Sequence, residues 1–396
     1  MTKPGPQQSR ALIVGGGIGG LTAAVALARN GMSATLLERS VFADETGAGI
    51  QLGPNATRVL AGLGVLDAVE AVAFKPDVLR LFDGATGDTL ASVPLGSVAE
   101  ERYGAPYLTF HRADLHAALL STCKGLGAID LRDGFEVTEV ESIADGVIAT
   151  GADGMQVEGS SLIAADGIWS SLRDHIEPHA GLRFSGATAW RALLPRDQVP
   201  APFDAPGVGL WLGPRAHIVH YPVRGGKDVN IVAVVEGGSA KQGWTLRAEP
   251  GVLLPAFHRW ASPAQALLES VENWRCWSLF RLKPLHRWTN GRVALLGDAA
   301  HPVLPYLAQG AALAIEDAAA LAASLKTCHG DPHSAFPLYE SLRMRRAARV
   351  QAQAAHFGRI YHFRGPAALA RNFVLKRRRP ETLLRGFDWL YGDATS

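Results

Sequence analysis

Cysteine is scarce in this chain. Cys123, Cys276 and Cys328 are the three in 396 residues, each alone, with no CxxC pair. That spacing excludes a disulfide framework, gives no metal site to expect, and suits a reducing cytoplasm, the predicted location. An excess of charge of one sign is lacking too, with 39 Lys and Arg against 37 Asp and Glu. Tracking a phosphate backbone takes a concentrated basic surface, so nucleic acid is excluded as a partner and a small molecule is expected. The cations Lys376 to Arg379 form a basic cluster, read as the solvated end of a helix. Long apolar runs are absent: no stretch approaches the roughly 18 residues that cross a bilayer, and no transmembrane segment is predicted. The polar start MTKPGPQQSR, and the interruption of the next apolar stretch by GGGIGG, predict no secretory signal.

What is present is apolar bulk and glycine. A hydrophobic content of 47% over this length can bury a large core, in two domains or one composite. The first glycine cluster has a readable context. A short apolar run, Ala11 to Val14, leads into GGGIGG; then LTAAVALARNG has helical periodicity, and SATLLERS reads as a second strand. Gly15, Gly17 and Gly20 satisfy GxGxxG between strand and helix, and Glu38, with Arg39 beside it, ends the second strand where a ribose-binding acid belongs. The glycines allow a tight turn and let a pyrophosphate approach the free N–H groups of the helix start. This predicts an ADP-containing cofactor.

Two further strand ends carry an acid and a glycine. AADGIWSSLR puts Asp166-Gly167 after an apolar strand and before a predicted helix, with Arg173 a little further on. Asp166 there is either a helix N-cap or a cofactor contact. LLGDAAHPVLPYLAQGAALAIEDA places Gly297 and Asp298 at another strand tip, stiffens the loop with Pro302 and Pro305, and opens a helix at Gly310-Ala311. A carboxylate there can bond a polyol hydroxyl, and bare backbone lets a flat ring approach. Three such corners predict a cofactor longer than one dinucleotide motif holds.

GGGIGG with Glu38, AADGIWSSLR and the GD stretch resemble the three fingerprints of the class A flavoprotein aromatic hydroxylases, the family of para-hydroxybenzoate hydroxylase. GAGIQLGPNA, at 47–56, and TFHRADLH, at 109–116, resemble its salicylate hydroxylase and 3-hydroxybenzoate 6-hydroxylase branch. The resemblance covers Ala11 to about Arg359. It implies an α/β fold with a Rossmann-like, GR2-type FAD-binding domain, an antiparallel-sheet substrate domain and C-terminal helices. The FAD domain is expected to be discontinuous, at 1–75, 102–180 and 284–330. The substrate domain takes 76–101 and 181–283, and a helical region takes 331–396. The resemblance also implies that the GxGxxG loop holds the ADP of FAD, that Asp298 meets the ribityl chain, that Arg112 lies along FAD, and that the DG motif serves both FAD and NAD(P)H. NAD(P)H has no Rossmann domain of its own in that family, and GVGLWLG, at 207–213, lacks a following helix. The implied reaction is a single-component monooxygenation of a small, salicylate-like hydroxylated aromatic acid, using NAD(P)H and dioxygen by way of a flavin hydroperoxide.

The substrate side rests on AHIVHYP. Strand alternation puts His217, Val219 and Tyr221 on one face, and Ile218 and His220 on the other. A His and a Tyr on one face can deprotonate or hydrogen-bond a phenol, and the resemblance implies that role; otherwise this is an edge strand with ordinary polar residues. His301 either faces the substrate or caps its loop. Trp190 and Arg191 are read as packing. Pro305 stands where the 6-hydroxylases carry a glutamine, and the LPYLAQG wording is closer to salicylate hydroxylases. Other outcomes are a ring hydroxylase for 3-hydroxybenzoate, 6-hydroxynicotinate or a quinone precursor, a plain NAD-dependent dehydrogenase, or a non-catalytic flavin-binding protein. The oligomeric state stays open, a homodimer included.

Overall fold

The computed structural model describes residues 10–42, 48–240, 246–248 and 250–392. Ala11–Val14 lies inside a six-stranded sheet, paired in parallel with Ala34–Leu37 on one side and Ser161–Ala164 on the other. All three strands are buried along their whole length, as continuous apolar strands covered on both faces must be. Ile129–Arg132 extends the sheet beyond Ala34–Leu37, and Val293–Leu295 pairs in parallel with Ser161–Ala164. Val14, Ala164 and Leu295 are therefore level with one another. The three glycine-acid corners that follow them emerge side by side at the carboxyl edge of one sheet, where open α/β sheets take ligands.

The helices Ile18–Arg29 and Gly310–Thr327 start from two of these corners and pack against each other. After the Asp166 corner the structure departs from expectation. No α-helix follows; among the described residues the chain makes only a 3₁₀ turn, Arg173–His175. A meander, Val137–Ile143, Gly146–Gly151 and Gln156–Gly159, forms a separate three-stranded sheet over this domain.

A second sheet has eight strands, in the order Leu246–Ala248, Trp274–Arg281, Arg183–Pro195, Asp228–Glu236, Ala216–Val223, Val208–Gly213, Val78–Asp83 and Thr89–Pro94. Neighbours are antiparallel except Val208–Gly213 with Val78–Asp83. Ala216–Val223 is interior and buried except at half-buried Val219, so the edge-strand alternative falls. Ile218, Trp190, Ile231 and Ala233 pack under Phe257, Leu267 and Leu268 on the outer face. Tyr221 and Val219 pack against the first domain's core instead. A short ladder, Gly49–Leu52 with Leu108–His111, sits between the domains, tied by Gly49 N–H to Asn230 Oδ1 (2.7 Å) and Thr109 Oγ1 to the Pro222 carbonyl (2.5 Å). The helix Pro332–Tyr361, capped by Asp331, and the shorter Pro366–Arg377, Pro380–Arg385 and Asp388–Tyr391 complete the chain. The cluster Lys376 to Arg379 is exposed at the end of Pro366–Arg377, as expected. Among the described residues no helix is long and apolar enough to cross a membrane.

Candidate active site

The glycine loop is built to leave room. Gly15 has φ +105°, and a Cβ there would stand 2.4 Å from the Ala165 carbonyl; at Gly20 it would stand 1.9 Å from that of Gly15. These two close the turn. A Cβ on Gly17, at the helix N-cap, would meet nothing within 4 Å, so the free amides of the helix start face a space an anion can enter. Glu38 takes Gly16 N–H at 2.6 Å and Ser40 N–H at 2.9 Å. A carboxylate has about four lone-pair positions, so it can still accept from a ribose hydroxyl. Arg39 is exposed beside it. Gly47 lies outside the described residues.

Arg173 joins the other two corners. Its buried guanidinium donates to the carbonyls of Ala299 (2.7 Å), Ile168 (2.7 Å) and Asp298 (3.2 Å). One side chain thus holds the Asp166 turn against the Asp298 turn. Asp166 Oδ1 is buried with no hydrogen-bond partner, and Oδ2 has a 3.4 Å contact with Leu172 N–H. Burial pushes the Asp166 carboxyl up from its usual range, against the pull of Ser170 and Arg173. An orphaned acceptor at this corner fits a hydroxyl donor from a ligand. Asp298 is half-buried, and burial raises its carboxyl as well, opposed by His301, Arg112 and Arg173. A Cβ on Gly310 would lie 3.9 Å from Asp298 Oδ1. Half-buried Ala311 follows, so small backbone faces the acid. Arg112 opens the helix Arg112–Lys124 near enough for its charge to act on Asp298. These residues fit an extended dinucleotide with a polyol between its halves.

On the sheet face turned toward this edge, the register places Ala189, Val234 and His217 in one row, Arg191, Val232 and Val219 in the next, then Leu193, Asn230 and Tyr221. His217 and Tyr221 are four residues apart, about 13 Å along the strand. His217 is buried, 5.4 Å from the Tyr306 ring and 5.5 Å from that of Tyr361, centroid to centroid. Burial, reinforced by His362, holds its imidazole well below the usual range. Nδ1 meets His362, and Nε2 has no protein partner among the described residues. Tyr221 is also buried, which raises its phenol. Gln51 stands near enough to offset part of that rise, and its Oε1 accepts Tyr107 O–H at 2.7 Å.

His301 stands behind its loop and not among the residues of that face, which favours the loop-holding alternative over the substrate-facing one. It is buried, with Nε2 2.5 Å from Asp317 Oδ2 and its ring 4.8 Å from that of Trp288. Asp317 also takes Arg343 Nε at 2.8 Å. The histidine belongs to an ionic core behind the loop. Trp190 packs in the outer core, as expected. Arg191 packs on the inner face, 4.6 Å over Trp277, and its charge also acts on Tyr221 and His111. Sequence reasoning also missed Gln51, Tyr107, Asn230 and Tyr306. For Gln51 and Asn230 the signal was strand alternation read across neighbours, usable only once register is known, whereas Tyr107 and Tyr306 lie outside the strands and gave no such signal.

The chain matches the model of the FAD binding domain family over residues 8–354. It is 38% identical to 3-hydroxybenzoate 6-hydroxylase 1 of Aquipseudomonas alcaligenes, over 97% of this chain and 98% of that one. Among solved structures, Klebsiella pneumoniae HpxO complexed with FAD and uric acid is similar at 28% identity and TM-score 0.86, covering 97% of each chain. A salicylate hydroxylase substrate complex is similar at 27% and TM-score 0.82, over 98% of this chain and 96% of that one. This chain belongs to the FAD-dependent aromatic-ring monooxygenases. The α/β fold, the enzyme class and the FAD cofactor expected from the motifs are borne out. The sequence leaned toward salicylate hydroxylases, whereas a 3-hydroxybenzoate 6-hydroxylase shows the higher identity.

Proposed function

We propose that this monooxygenase hydroxylates the ring of a small hydroxybenzoate-type acid, with NAD(P)H and dioxygen as co-substrates. The observation that carries the reading is a triangle on the inner sheet face. His217 and Tyr221 bracket Val219, and Arg191 lies in the row between them, two strands across, about 10 Å. A base, a phenol and a guanidinium suit a ring bearing a hydroxyl and a carboxylate: Arg191 matches the carboxylate, and His217 Nε2 accepts from the hydroxyl. Bound FAD, reduced by NAD(P)H, supplies the oxygen-activating chemistry. It would be held by Gly15, Gly17, Gly20, Glu38, Arg112, Asp166, Asp298 and the Gly310 helix start. The chain's own work is to orient the ring, exclude water and move one proton at the hydroxyl oxygen, which raises electron density in the ring. Cys123, Cys276 and Cys328 form no disulfide among the described residues, which supports a cytoplasmic location.

The test is NADH and NADPH consumption against 3-hydroxybenzoate, salicylate and 6-hydroxynicotinate, with product identification so that uncoupled peroxide release is counted separately. Turnover should require the carboxylate, and phenol itself should give none. His217→Ala and Tyr221→Phe should lower product formation by roughly 100-fold or more for the base and less for the phenol, with FAD content unchanged. Wild-type turnover in both variants would remove the assignment.

A further inference from the structure

Behind His217 stand a second histidine and a carboxylate that ring binding does not use. His217 Nδ1 is 2.8 Å from His362 Nε2, and His362 Nδ1 is 3.1 Å from Glu236 Oε1. Both histidines are buried, while the Glu236 side chain is 41% exposed at the end of Asp228–Glu236. The three groups therefore run from the inner face of the sheet to solvent.

Their order fixes the hydrogens. An ionised carboxylate only accepts, so His362 Nδ1 carries the hydrogen that Glu236 receives. In the neutral ring His362 Nε2 is then bare, and it accepts from His217 Nδ1–H. His217 Nε2 is left with its lone pair. Burial keeps both rings below the usual imidazole range, reinforced at His217 by His362 and opposed at His362 by Glu236, with a smaller push down from Arg371, so the neutral forms are the ones to consider. The titratable and charged groups around the pair come from several elements. Tyr306 stands in the turn Pro305–Leu307, and Tyr361 ends the long helix. Arg215 pairs with Glu236 at 3.3 Å. Arg371 donates to the Tyr361 carbonyl at 2.8 Å and lowers His362. The flanking strand partners of His217, Leu212 and Val234, carry no charge.

We propose that His362 and Glu236 are positioning residues that hold His217 in the tautomer with a bare Nε2 and conduct the substrate hydroxyl's proton to solvent. This rests on the reading of His217 as the group that meets the ring hydroxyl. The ring O–H bond breaks and His217 Nε2–H forms, with the electron pair staying on the phenolate oxygen. His217 Nδ1–H passes to His362 Nε2, and His362 Nδ1–H passes to Glu236 and on to water. Reprotonation of the product along the same path resets both rings.

The experiment uses the oxidised holoenzyme without NAD(P)H, so that no turnover occurs. 3-Hydroxybenzoate and salicylate are bound in turn, and phenolate formation is read by difference absorbance against pH, with proton release followed by an indicator dye. Glu236→Gln should raise the ionisation midpoint of the bound ligand by about one pH unit, a tenfold change in its ionisation constant, and should slow proton release. Glu236→Asp should recover most of both, with ligand affinity below the midpoint unchanged. His362→Asn gives the same result by a second route should the glutamate variant fold poorly. If both variants keep the wild-type midpoint and release rate while His217→Asn shifts them, the relay is wrong and the base stands. If His217→Asn also leaves them unchanged, or neither acid binds, the reading of His217 has failed and the relay with it.

Discussion

At the scale of single residues, the glycine loop separates what the fold needs from what the cofactor needs. Gly20 is required by the protein itself, since a methyl there would overlap the Gly15 carbonyl at 1.9 Å. Gly17 is not, since a methyl there meets no protein atom within 4 Å. Alanine is a poorer N-cap than glycine, but by no more than about 1 kcal/mol. Gly20→Ala should therefore lower the thermal midpoint of the apoprotein, whereas Gly17→Ala should leave it nearly unchanged. Gly17→Ala should still weaken FAD binding, because its methyl occupies the approach to the helix amides. A fluorescence titration with FAD beside apoprotein melting decides the point: equal FAD affinity in Gly17→Ala and wild type would place the pyrophosphate somewhere else. These residues were legible in the sequence because strand, turn, helix and acid lie within about thirty residues of one another. Arg173 was visible but without a role, because its partners Asp298 and Ala299 come from a turn more than a hundred residues on.

At the scale of elements, the helices Gly310–Thr327 and Pro332–Tyr361 are joined by buried charge. Arg343 donates to Asp317 Oδ1 at 2.8 Å and to Glu316 Oε2 at 2.6 Å, Arg346 also reaches Glu316, and His301 holds the other oxygen of Asp317. Burial alone would raise the Asp317 carboxyl, yet His301 and Arg343 bring it down to about 2. A folded pKa below the unfolded value of about 4 means that this stability is fully present above about pH 4 and fades as pH falls toward 2. Arg343→Met should cost about 3–5 kcal/mol at neutral pH, because it leaves Asp317 buried with only His301 beside it and Glu316 with only Arg346. Urea unfolding at pH 7 and again near pH 4 should show the gap narrowing as the stranded acids take up protons. A gap independent of pH would mean that shape, and not charge, is what Arg343 supplies. This cluster also explains why the two readings of His301 could not be separated in the sequence. Its loop reads locally as a substrate loop, but its partner Asp317 is set by how the next helix folds back, and no local pattern reports that. The same holds for His362, which reaches His217 only because a 30-residue helix ends beside the strand Ala216–Val223.

At the scale of the whole molecule, the C-terminal segment returns to pack beside Tyr103 and Tyr107, next to the proposed substrate site. Arg346 and Arg58 hold the carbonyls of Leu390 and Tyr391 at 2.8 and 2.9 Å. The buried Tyr391 ring meets those of Tyr103 and Tyr107 edge-on, at 5.5 and 6.3 Å. Tyr107 bonds Gln51, and Gln51 stands near enough to Tyr221 on the eight-stranded sheet to act on its phenol. The last helix therefore stands behind Tyr107 and Gln51, on the Tyr221 side of the proposed substrate site. Sequence alone gave the helices but not this return, which depends on two arginines closing on backbone carbonyls far along the chain. Tyr391→Ala removes a large buried ring and should cost about 3–5 kcal/mol of stability, as other buried aromatic truncations do. At temperatures where the variant stays folded, it should bind hydroxybenzoate more weakly while retaining its FAD, because Tyr107 and Gln51 lose their backing but Gly17, Asp166 and Asp298 do not. Tyr391→Phe keeps the ring and should bind as the wild type does. Ligand titration by flavin fluorescence, with the bound FAD fraction read from the same samples, separates the two effects; parallel loss of FAD and of hydroxybenzoate would show that the C-terminal helices support the whole molecule and not one wall of it.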